Sequence, residues 1–154
     1  MENFLVLGDL TITYQQVYTD YIKPQIEEID ILLKSSHSSY TITEVARVLN
    51  ISKEEILHIM QENNIVEINK IYFFHILMEA KSYVGQLIKR QWRVPNTNDY
   101  TAFNIAYIYN LDYKLVETAF SKLQMTTVSD EDLSILFSHI PVTKSAFAIN
   151  VHKD

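Results

Sequence analysis

No cysteine occurs in the 154 residues, which leaves neither a disulfide framework nor a thiolate metal site and suits a reducing cytoplasm. Glycine occurs twice (Gly8, Gly85) and proline three times (Pro24, Pro95, Pro141), below the ordinary usage of roughly 7% and 5%. Turns and loops draw on those two residues, so their scarcity predicts helices joined by short connections. Two glycines cannot build a Gly-rich phosphate loop. The G-x-x-x-x-G-K, G-x-G-x-x-G, G-x-S-x-G and H-E-x-x-H signatures are all missing. No apolar run reaches the ~18 residues a membrane span needs, and Met1-Glu2-Asn3 lacks the basic flank of a signal peptide. The expectation is a cytoplasmic, non-enzymatic chain with no membrane partner.

Apolar residues make up 47% of the chain, enough to bury a sizeable core in one domain or in two small ones sharing it. The net charge is −6, yet residues 70–94 hold five cations (Lys70, Lys81, Lys89, Arg90, Arg93) against the single carboxylate of Glu79. Every other stretch is acidic on balance. A protein that neutralises many phosphates is basic overall or on one face, so only this central stretch favours a nucleic-acid partner.

An internal repeat organises the sequence. Residues 40–60 (YTITEVARVLNISKEEILHIM) align with residues 100–120 (YTAFNIAYIYNLDYKLVETAF) at a fixed offset of 60 without a gap. Tyr40/Tyr100, Thr41/Thr101, Ala46/Ala106 and Asn50/Asn110 are identical. The pairs Val45/Ile105, Val48/Ile108, Ile51/Leu111 and Ile56/Val116 are apolar in both, and so are Ile68/Val128, Phe73/Leu133, Ile76/Leu136 and Leu77/Phe137.

Each copy reads as helix, tight turn, helix. In the first, Thr41 or Thr43 caps a helix running to about Leu49, with Glu44 in its first turn. Asn50 stands where the chain turns, because Asn tolerates the left-handed conformation better than most residues. Ile51 plugs the angle, and Ser52 caps the second helix with Glu55 completing an S-x-x-E capping box. Asn110, Leu111 and Asp112 take these places in the second copy. The string T-E-V-A-R-V-L-N-I-S-K-E-E-I resembles the helix-turn-helix of bacterial transcription regulators, nearest to the excisionase and MerR-like type. The resemblance covers residues 42–61, with a looser second copy at 102–121.

That resemblance implies that the second helix of each copy faces a partner, in a DNA complex through the major groove. The first copy would then present Lys53, His58 and Gln61, and the second Lys114. No arginine lies on either helix, although arginine makes the commonest contact to guanine, and neighbouring carboxylates offset the lysines. The central segment is electrostatically better placed. Residues 70–92 read as one long helix linking the repeats, with Ile71, Phe74, Leu77, Met78, Val84, Leu87 and Ile88 inward. On it Lys81, Lys89 and Arg93 would share a face with Arg90 at its edge. The competing explanation is a solvated face whose cations suit a helix C-terminus.

Upstream, residues 13–34 form an amphipathic helix in which Pro24 either kinks the helix or opens a second one. Phe4–Leu7 and Ala146–Val151 are short extended candidates that could pair. Glu54, His58 and Glu62 share a helical face, but an exposed charged face explains them as well as a metal would, and no cofactor or metal is expected.

The sequence therefore predicts an all-α fold: two tandem helix-turn-helix-like repeats joined by a long central helix, with an N-terminal amphipathic helix. Its segments are residues 1–39, 40–94 and 95–154, forming one unit. The first functional reading is a DNA-binding transcriptional regulator of bacterial type, dimeric because paired half-sites offset modest contacts. The alternative is a protein-interaction or adaptor module using the same helices as a scaffold. A third, a ligand-responsive regulator, needs a cavity lined by Phe73, Phe74, Tyr107 and Tyr109.

Overall fold

A computed structural model describes residues 10–94 and 98–143, and they are mostly helical. The elements are β1 (Thr11–Thr13), α1 (Tyr14–Val17), a π-helical turn (Tyr18–Ile22), α2 (Lys23–Lys34), α3 (Ile42–Leu49), α4 (Lys53–Glu62), α5 (Lys70–Glu79), α6 (Tyr83–Gln91), α7 (Ala102–Tyr109), α8 (Tyr113–Lys122), a 3₁₀ turn (Asp130–Asp132), α9 (Leu133–Phe137) and β2 (Pro141–Thr143). β1 pairs antiparallel with β2, Ile12 opposite Val142. The two candidate strands at Phe4–Leu7 and Ala146–Val151 lie outside the described residues.

Thr13 starts α1 with a capping box made with Gln16. Helix then continues through to Lys34, and Pro24 explains the π turn in the middle. Pro24 has no N–H and its ring would strike the carbonyl four residues back. The ladder widens just before it, the Lys23 N–H bonding the Tyr18 carbonyl.

The turn chemistry read from the sequence is present. Thr41 and Glu44 cap α3 reciprocally, and Thr101 and Asn104 do the same for α7. Asn50 (φ 57°) and Asn110 (φ 56°) are left-handed, and the N–H of the next residue, Ile51 or Leu111, bonds back to the carbonyl of Ala46 or Ala106. That is a Schellman closure, and it needs an αL residue at its centre. Ser52 and Asp112 then cap α4 and α8. Left-handed residues recur at Asn64 and Gln124 after α4 and α8, and single β-bridges tie Tyr40 to Ile68 and Tyr100 to Val128. Asn50→Val or Asn110→Val should each lower stability by about 1–2 kcal/mol, because a β-branched residue resists αL, whereas Asn110→Gly should be nearly neutral. Urea midpoints of the three variants check this.

One element departs from expectation. The long helix over 70–92 is two helices, since Ala80 is extended (ψ 145°) and Ser82 is the N-cap of α6. Three groups hold the break open. The Lys81 N–H donates to the Glu55 carboxylate (3.1 Å), Ser82 Oγ accepts from the Gly85 N–H (3.0 Å), and the Gln86 amide donates to the Ala80 carbonyl. A Cβ on Gly85 would sit 2.9 Å from Ser82 Oγ, so the glycine lets this cap close. Glu55 is therefore taken by the break, and its capping box with Ser52 is only half made. The inward face of α5 differs too: Phe73, Ile76 and Leu77 are buried, while Ile71 and Phe74 are exposed.

The buried residues form two clusters. The first joins Ile29 and Leu32 of α2 to Val45, Val48, Ile56 and Phe73 with their neighbours in α3–α5. The second joins Tyr14, Val17 and Ile22 to Tyr100, Ile105, Val116, Leu136 and Phe137 in the C-terminal half. Helix α6 serves both, with Val84 and Ile88 in the first cluster and Leu87 in the second.

Candidate interaction surfaces

Helix ends explain where Gln25, Tyr83 and Arg90 go. The last carbonyls of a helix have no partner inside it and need one elsewhere. At the end of α3, Gln25 of α2 donates to the Val48 carbonyl (2.8 Å). At the end of α7, Arg90 Nε of α6 donates to the Ile108 carbonyl (2.9 Å), and the Tyr83 hydroxyl donates to the Tyr109 carbonyl. Since that proton is committed, Tyr14 must donate in its 2.8 Å bond to the Tyr83 oxygen. Burial is the largest effect raising the Tyr14, Tyr83 and Tyr109 hydroxyls above the usual tyrosine range. These hydroxyls are structural groups that stay protonated at neutral pH.

The eight residues picked from the sequence do not converge. Lys53 is the exposed first residue of α4, and Gln61 is exposed near its end. His58 is exposed, with its ring 3.2 Å from the Glu62 carboxylate. Lys114 is exposed on α8, its N–H capped by Asp112 (2.9 Å). The proposed stripe on a central helix does not exist, because its members belong to three settings. Lys81 lies in the break before α6, Arg90 turns inward to Ile108 with its Nη2 buried, and Arg93 lies beyond α6 with its guanidinium 3.2 Å from the Tyr107 hydroxyl. Lys89 is half-buried on α6. Helical spacing put these residues on one face only while the helix was unbroken.

The aromatic set suggested for an effector cavity is also divided. Phe73 is in the first core, Tyr109 is in the second with Tyr107 packed against it, and Phe74 is on the surface. An open groove of about 690 Å³ does run along the turn of the first helix pair, lined by Ala46, Arg47, Asn50, Ile51, Lys53 and Leu57 among others. Arg47 at its edge is held by Glu28 (3.0 Å).

Two exposed aromatic pairs form only in the fold, although Trp92 and Tyr113 were each candidate contact residues in the sequence. Trp92, 52% exposed at the end of α6, meets Phe74 of α5 at 5.4 Å with the rings tilted by 50°, and Ile71, one turn before Phe74, is 75% exposed. Phe103 of α7 (69% exposed) meets Tyr113 of α8 at 6.4 Å, with Leu115 also exposed. The first half of the chain has Thr43, Lys53 and Glu55 at the places of Phe103, Tyr113 and Leu115. The signal available in the sequence was that α5 is apolar on nearly every side, more than one buried face can use.

Among the described residues no helix is long and apolar enough to cross a membrane, and no three metal-ligating side chains come together. Comparisons with protein-family models, with curated proteins and with solved structures each returned no match.

Proposed function

We propose that this chain is a non-enzymatic protein-interaction module, built from two copies of one helix-turn-helix unit used as a scaffold. The duplication is supported by burial that recurs at the offset of 60. Val45/Ile105, Val48/Ile108, Ile56/Val116 and Leu77/Phe137 are buried in both halves, and so are Phe73/Leu133 and Ile76/Leu136.

One observation carries the interaction reading. Where a groove-reading protein needs cations, the outward surfaces of the helix pairs carry exposed apolar and aromatic side chains beside carboxylates. On α8 these are Tyr113 and Leu115 with Glu117; on α4, Leu57 lies with Glu54 and Glu62. Exposed clusters of that kind mark association surfaces, in which tyrosine and tryptophan are enriched. A polyanion would meet carboxylates on both helices, and the net charge of −6 adds a general repulsion.

The regulator reading draws on the Asn50 turn and on the Ser52-capped α4, which exposes Lys53, His58 and Gln61 in the manner of a recognition helix. Anisotropy of a labelled random duplex, titrated with the protein from low to near-physiological salt, separates the two. The interaction module gives no change even at low salt. Binding that falls steeply with salt and disappears in Lys89→Glu/Arg93→Glu would overturn it in favour of DNA.

A further inference from the structure

The break between α5 and α6 runs from Ala80 to Ser82, and its backbone is close to helical. Ala80 and Ser82 have helical φ (−65° and −70°) and depart from a helix only in ψ (145° and 155°). No glycine or proline lies between Ile71 and Val84, Ala80 and Lys81 are strong helix formers, and the apolar spacing continues across. What keeps the helices apart is a small set of hydrogen bonds: Lys81 N–H to the Glu55 carboxylate, the Ser82 cap on Gly85, and Gln86 to the Ala80 carbonyl. The second repeat turns the same corner differently. At the offset of 60, Pro141 stands in the place of Lys81 and Leu115 in the place of Glu55. Proline has no N–H to satisfy and cannot continue a helix, so that corner is fixed. The corner at Lys81 depends on Glu55.

We infer that Ala80–Ser82 is a hinge through which two copies exchange halves. In each chain α5 and α6 join as one helix, and α6–α9 of one copy pack on β1–α5 of the other. The contacts that bind the halves can all be remade between chains by the same residues. Val84 and Ile88 of α6 enter the first core, Tyr14, Val17 and Ile22 enter the second, β1 pairs with β2, and Gln15 donates to Ser134 (2.9 Å). Only the hydrogen bonds of the hinge are given up. The joined helix replaces them, because the N–H groups of Lys81, Ser82 and Tyr83 meet the carbonyls of Leu77, Met78 and Glu79 four residues back. Exchange of identical elements is a direct route to a dimer, and short hinge segments favour it. Glu55 is the latch. Without its carboxylate the Lys81 N–H loses its acceptor in the closed chain and finds one in the joined helix. The inference goes beyond the interaction module, since it concerns how copies assemble whatever they bind.

The chain has no cysteine, so a pair can be placed by design. Thr11 of β1 and Thr143 of β2 are exposed cross-strand partners. Such partners have Cα atoms about 4.5–5.5 Å apart, within reach of a disulfide. The whole chain carrying Thr11→Cys/Thr143→Cys is refolded from urea at about 1 μM and at about 500 μM, concentrations that bracket weak association. It is then sized, oxidised and run denatured without reductant. A closed chain links only to itself, whereas exchanged halves link one chain to another. Linked dimers should appear at the higher concentration and persist on dilution, because the halves separate only by unfolding. Glu55→Ala in the same chain should raise the dimerisation constant about tenfold or more, in line with loss of a charge-assisted hydrogen bond from the closed form. Lys81→Pro should abolish the dimer. Its ring would strike the Leu77 carbonyl in a joined helix, while Ala80 has the extended ψ that a residue before proline prefers. Far-UV circular dichroism confirms that both variants fold. Dimers whose disulfides lie only within chains are surface association and overturn the inference. So does the absence of interchain links at about 500 μM in both the parent and Glu55→Ala, or a Lys81→Pro chain that dimerises as readily as its parent. The duplex titration judges the interaction module separately.

Discussion

Phe137→Ala should remove about 3–5 kcal/mol of stability, the range for truncating a buried phenylalanine. Phe137 is fully buried, and three tyrosines meet its ring: Tyr14 at 4.7 Å, Tyr18 at 5.0 Å and Tyr109 at 5.0 Å. Those rings come from α1, the π turn and α7, so none of them can collapse into the space without moving its own helix. A small domain is stable by only about 5–15 kcal/mol, and the loss should show as a large fall in urea midpoint and melting temperature. Ile135→Ala on the same short helix is the control, since Ile135 is 51% exposed and should cost less than about 0.5 kcal/mol. Because α6 contributes to both cores, Trp92 fluorescence and far-UV circular dichroism should report one coincident transition, shifted as a whole. A fall below about 1 kcal/mol would show that Phe137 is not packed in this way.

Alkali should unfold the protein steeply. Tyr14, Tyr83 and Tyr109 ionise above the usual value near 10 because burial disfavours the phenolate. Folded, these groups keep their protons where the unfolded chain has lost its own. The folded state binds more protons, so the contribution of these three groups to stability is constant below about pH 10 and declines above it. Three such groups give a slope approaching about 4 kcal/mol per pH unit until their folded values are reached. Tyrosinate absorbance should therefore show exposed tyrosines titrating first, and a second step coincident with loss of helical circular dichroism. Tyr83→Phe should flatten that dependence. It should also cost about 1–2 kcal/mol at neutral pH, because the Tyr109 carbonyl loses its donor. Ionisation of all ten tyrosines before any loss of helix would contradict the enclosed network.

Much of the local structure is legible in the residues themselves. Threonine caps, the left-handed asparagines and the apolar phase shared at an offset of 60 all depend on interactions within a few residues of chain, and all are found where the sequence puts them. Pro24 likewise marks the irregular turn, because its missing N–H acts locally. The central segment fails for a reason that can be named. Its apolar spacing runs through the break at Ala80–Ser82 without interruption, so periodicity reports one helix where there are two. Ser82 followed by Gly85 was a local hint of a cap, but the acceptor that fixes the break is Glu55, some 26 residues away. The inward face of α5 was misread for a related reason: a helix apolar on nearly all sides carries no phase.

The candidate site divides along the same line. Lys53, His58, Gln61 and Lys114 are exposed as the local helix pattern requires. Arg90 is not available to a partner, because the unsatisfied carbonyl of Ile108 arrives beside it only when α7 packs against α6. The pairing of Trp92 with Phe74 and of Phe103 with Tyr113 likewise depends on how separate helices meet. The sequence by itself determined the helical class, the caps, the two left-handed turns and the charge of each stretch, since these are set by side chains acting on their own backbone. Tertiary structure alone decided which helix breaks, which cations are consumed inside and which aromatics stay outside. Those outcomes turn on buried donors and acceptors that find each other only after distant segments have packed.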